Sequence, residues 1–85
     1  MYRAIDVWRR DGKHKLARYR CFQILESGKY CVQSVDYYYA PIEDEQIKQH
    51  EKQFLELLAE SFPDDRGEVY DSLEEAIEAF DQEFK

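Results

Sequence analysis

The chain has 85 residues, 44% of them hydrophobic and 15% aromatic, and carries a net charge of −7. A chain of this length builds one domain, residues 1–85, and buries roughly 60–65% of its unfolded surface. Its aromatic content excludes a disordered polymer despite 36% charged residues, and no stretch approaches the roughly 20 apolar residues of a membrane-spanning helix.

The charge is unevenly placed. Residues 1–29 hold eight Lys or Arg against three acids, whereas residues 30–85 hold four against sixteen. A basic third joined to an acidic remainder predicts two electrostatic faces and a charged partner. The segment Met1-Tyr2-Arg3-Ala4-Ile5-Asp6 has no apolar run of signal-peptide length. A cytoplasmic location is therefore expected, with Cys21 and Cys31 as reduced thiols on a sheet.

Residues 2–10 mix β-branched and aromatic side chains (Tyr2, Ile5, Val7, Trp8) and predict a strand. Asp11-Gly12 marks a turn. Residues 15–25 predict a second strand, with Leu16, Tyr19, Cys21, Phe22 and Ile24. Glu26-Ser27-Gly28-Lys29 marks the next turn, where Gly28 can take a positive φ. Residues 30–39 predict a third strand, so the first half reads as an antiparallel meander.

Pro41 ends the sheet and suits a helix start. Glu43, Asp44 and Glu45 complement the helix N-terminus. Ile47, Phe54, Leu58 and Phe62, widened by Leu55 and Leu57, predict a helix over about residues 42–61. Phe62-Pro63 stops it, and residues 64–67 read as a loop. Residues 68–71 read as a short fourth strand or a linker. Ser72-Leu73-Glu74-Glu75 is a capping box. Leu73, Ala76, Ile77, Phe80 and Phe84 form the apolar stripe of a second helix. The expected fold is α+β, in the order β-β-β-α-(β)-α, with both helices on one face of the meander.

Strand alternation sorts the side chains into two faces. One register places Ala17, Tyr19, Cys21, Leu25, Cys31, Val35, Tyr37 and Tyr39 together. Ile5 and Val7 join them if the first hairpin has an extra loop residue. This face is nearly uncharged and is expected to meet the helices. The other face then carries Tyr2, Trp8, Leu16, Arg18, Arg20, Phe22, Ile24, Tyr30, Val32, Asp36 and Tyr38, with Arg18 or Arg20 pairing to Asp36 or Asp6. Left uncovered, it is too apolar for plain solvated surface.

No catalytic constellation is visible. Ser27, Ser34, Ser61 and Ser72 lack a nucleophile motif, and His14 and His50 read as solvated. Asp64-Asp65-Arg66-Gly67-Glu68 lacks the carboxylate spacing of a calcium loop. The three glycines are isolated, so there is no phosphate loop. Neither a metal nor a cofactor is expected, and the chain reads as a non-enzyme.

The expected function is a small interaction or regulatory module. It forms a homodimer through the outer sheet face, with Trp8, Arg18, Arg20, Phe22, Tyr30 and Tyr38 as the contact residues. One alternative is nucleic-acid binding by the basic aromatic sheet, with Arg9, Arg10, Lys13 and Lys15 on phosphates. It is opposed by the acidity of the whole chain. A second alternative makes the acidic helices a ligand for a basic protein partner. No membrane partner is expected.

Overall fold

The computed structural model describes residues 1–65 and 67–83. Three strands, β1 (Tyr2–Arg10), β2 (Lys15–Ile24) and β3 (Tyr30–Tyr39), are followed by helix α1 (Asp44–Glu60), a 3-10 turn (Pro63–Asp65) and helix α2 (Leu73–Glu83). The sheet is antiparallel in the order β1-β2-β3. The α+β class and the element order are those expected.

Turn chemistry places the hairpins where the sequence marks them. Gly12 and Gly28 have φ of 85° and 75°, in the left-handed region that a Cβ disfavours. The first loop spans four residues, and Ile5 and Val7 pair with Cys21 and Tyr19. They therefore share the face of Ala17, Tyr19 and Cys21, as expected.

The register of β3 departs from strict alternation. Arg20 pairs with Ser34 but Cys21 pairs with Val32, so Gln33 is an extra residue on β3. This β-bulge flips every position before it to the opposite face. Cys31 then lies beside Phe22, while Val32 packs with the cluster of Ala17, Tyr19 and Cys21. The expected faces of Cys31, Tyr30 and Val32 are thus reversed. Cys21 and Cys31 are buried free thiols on opposite faces.

The helices also divide between the faces. On one side, Leu73, Ile77 and Phe80 of α2 pack against Ala17, Tyr19 and Cys21. On the other, Phe54 and Leu58 of α1 pack against Phe22, Ile24 and Cys31. Tyr19 meets Phe80 edge-on at 6.2 Å, while Phe22 stacks on Phe54 at 5.8 Å. The expectation of two helices on one face is corrected: α1 crosses to the second face. The reason is on that face. It carries Phe22, Ile24 and Tyr38 beside two arginines, and α1 supplies both an apolar stripe and a carboxylate to cover them.

The helix ends follow local chemistry. The Ser72 hydroxyl accepts the Glu75 amide at 3.1 Å and caps α2. The side chain of Gln46 accepts from the Tyr39 amide and donates to the Tyr39 carbonyl. That clamp ties the first turn of α1 to the end of β3, and α1 begins at Asp44 rather than beside Pro41. Residues 68–71 form no strand; Tyr70 makes a single antiparallel bridge to Tyr30. Phe84 and Arg66, assigned above to a stripe and a loop, lie outside the described residues.

Candidate interaction surface

The face beneath α1 holds a charged cluster at its centre. Arg18 and Arg20 project from β2, Asp6 from β1, Asp36 from β3 and Glu51 from α1. Arg20 donates through Nε to Asp36 at 2.9 Å and through Nη2 to Glu51 at 2.7 Å. Arg18 donates to Glu51 and to Asp6, each at 2.8 Å. Two guanidinium groups thus meet three carboxylates. Phe54 lies 4.5 Å below the Arg20 guanidinium and Trp8 lies 5.0 Å from that of Arg18, so aromatic faces complete both environments.

The ionisation states follow from these contacts. Burial works against the charge of each arginine. The hydrogen bonds that Arg18 donates to Asp6, and Arg20 to Glu51 and Asp36, outweigh it and raise both pKa values. The hydrogen bond from Arg20 holds Glu51 below its ordinary value. On the opposite face burial is the main cause of a pKa of about 12 at Tyr19, reinforced by its 2.7 Å hydrogen bond to Asp81. Burial also pushes the Cys21 and Cys31 thiols up to about 12 and 11. Both are poor nucleophiles at neutral pH.

The six residues expected to form the contact face are therefore not equivalent. Arg20, Phe22 and Tyr38 are 2%, 2% and 3% exposed and lie under α1. Arg18 is largely enclosed by its partners. Tyr30 sits on the other face because of the bulge, bridging to Tyr70. Of the six, Trp8 alone is open, with 51% of its surface exposed. His50 is corrected too: it packs edge-on against Tyr38 at 4.8 Å, and its Nε2 meets the Tyr37 carbonyl at 3.0 Å.

The basic residues at the hairpin end are similarly divided. Arg9 pairs with Asp81 at 3.3 Å and Lys15 with Asp11 at 3.3 Å. Lys15 also sits 4.4 Å above the Tyr37 ring. Among the described residues, Arg10 and Lys13 have no ion-pair partner.

An apolar cleft of about 180 Å³ remains where α1 stops short of the β1 side. Trp8, Leu16, Tyr38, Ile42 and Ile47 line it, with Arg18 at its floor. Ile42 and Ile47 are each 42% exposed. Trp8 packs on Tyr38 at 5.6 Å, so two of the lining side chains hold each other in place. Sequence reasoning found Trp8 and Leu16 from strand alternation but did not find Ile42, which precedes the helix and belongs to no periodic stripe. Glu51 had a readable signal. It falls within the spacing of Ile47, Phe54 and Leu58, and a charge on an apolar stripe implies a buried counter-charge.

Among the described residues, no three His, Cys, Asp or Glu side chains converge as metal ligands, and no helix is long and apolar enough to cross a membrane. The chain matches no family model, no curated protein and no solved structure.

Proposed function

We propose that the protein is a non-enzymatic cytoplasmic interaction module that self-associates. The observation that carries this reading is the cleft of Trp8, Leu16, Ile42 and Ile47. It is apolar and is framed by three residues that are about half exposed. Isolated apolar side chains on a surface need no explanation, but a contiguous group around an indole is the usual composition of a binding centre. The contact surface is thus the open end of the sheet face, in place of the whole face.

Phosphate binding by the basic strands is less well supported. Arg9, Lys15, Arg18 and Arg20 are each paired with carboxylates of the same chain, so polyanion binding would have to displace them. Three cations without an ion pair among the described residues of this segment, Arg3, Arg10 and Lys13, are too few for a large counterion-release term.

Trp8 is the only tryptophan, so its fluorescence reports this surface alone. Raising the protein concentration is expected to blue-shift its emission and reduce quenching by acrylamide. The Ile42→Lys, Ile47→Lys double variant is expected to abolish the change without altering the far-UV spectrum. Quenching that stays constant while the molar mass rises contradicts the assignment of this surface.

A further inference from the structure

Strand β1 is an edge strand nine residues long. The Asp11 amide donates to the Lys15 carbonyl at 2.8 Å, and the Leu25 amide donates to the Met1 carbonyl at 3.0 Å. These two bonds fix the phase of the ladder between β1 and β2, whose register is unbroken. Odd-numbered residues of β1 bond to β2, so Tyr2, Ala4, Asp6, Trp8 and Arg10 aim their backbone groups outward. Among the described residues, nothing pairs with that outer edge.

The other edge is treated differently. Near its start, β3 is bridged by Tyr70, with two backbone hydrogen bonds of 2.8 Å, and it carries the Gln33 bulge. Such features blunt an edge, whereas β1 has no proline, no lysine and no bulge. Of its charged side chains, Asp6 is drawn inward to Arg18 and Arg9 to Asp81; among the described residues only Arg3 and Arg10, one near each end of the strand, stay exposed and without an ion pair.

Resting on the self-association reading, we infer that β1 pairs antiparallel with β1 of a second copy across a two-fold axis at Val7, joining two sheets into one of six strands. A two-fold axis perpendicular to the sheet keeps each face continuous and opposes residues of equal parity. With the axis at Asp6, Asp6 would face its own copy and Arg3 would face Arg9, both repulsive. Moving it to Val7 removes both clashes and opposes Arg3 to Asp11 at each end. The axis at Ile5 also avoids them but offers no opposite-charge pair. The Val7 register sets Trp8 diagonal to Trp8 of the second copy, so the two clefts become neighbours on one continuous surface.

Amide hydrogen exchange over a concentration series tests this directly. In dilute solution only the odd amides of β1 should be protected. On concentration, Ala4, Asp6, Trp8 and Arg10 should gain protection together. Ala4→Pro removes an outward N–H that has no partner in the monomer, and is tolerated on an edge. By symmetry it deletes two intermolecular hydrogen bonds and should weaken association roughly thirtyfold. Asp11→Arg should weaken it too, and adding Arg3→Asp should restore it. Failure of that restoration overturns the register. A dimer whose even amides stay open overturns edge pairing and leaves self-association standing. A monomer at every concentration overturns both.

Discussion

Among the described residues Arg20 is the most enclosed charge, 2% exposed, and its neighbours determine what its removal does. Truncation to alanine leaves Asp36 facing a space between sheet and helix without its cation, while Glu51 keeps Arg18. Breaking a buried pair in this way costs about 3–5 kcal/mol, far above a surface salt bridge. Urea denaturation of Arg20→Ala at neutral pH should show a loss in that range; a loss below about 1 kcal/mol contradicts the buried network. The pairing of Arg18 and Arg20 with Asp6 and Asp36 was legible because all four fall on one face by alternation. The burial of Arg20 was not, since strand parity carries no information about which helix covers a face.

At the scale of elements, both strands and helices were legible from period and punctuation. What alternation missed was a single extra residue. Gln33 carries no turn signal, yet its bulge moved Cys31 and Val32 across the sheet. The side on which α1 lies was also not fixed by its stripe, which any apolar surface would accept. Glu51 decides it, by joining α1 to Arg18 and Arg20. That link has a pH dependence whose sign follows from the shift. Arg20 holds Glu51 below its ordinary pKa of 4.5, so its contribution is complete above that value and is lost as acid reaches the lowered one. Acidification should therefore loosen α1 from the sheet while α2, held by Leu73, Ile77 and Phe80, stays docked. Amide exchange in α1 followed against pH checks this, and Glu51→Gln should remove the Glu51 part of the dependence. Loss of α1 and α2 protection at the same pH contradicts separate docking.

For the whole molecule, the division of the helices decides what remains available to a partner. With α2 over one face and α1 over most of the other, neither face can serve as an intact contact surface. The edge of β1 and the Trp8 cleft beside it stay open, and Trp8 belongs to both. Part of the uneven charge seen along the chain is met in three dimensions, because carboxylates from β1, β3, α1 and α2 answer Arg9, Arg18 and Arg20. A basic N-terminal segment is thus a source of internal ion pairs before it is a surface for polyanions. Molar mass by light scattering across a wide concentration range at two salt concentrations tests the central claim most directly. Self-association through an apolar cleft and backbone edge predicts a rise from 10.3 kDa towards twice that mass at both salt concentrations. A mass that stays at 10.3 kDa throughout would contradict it.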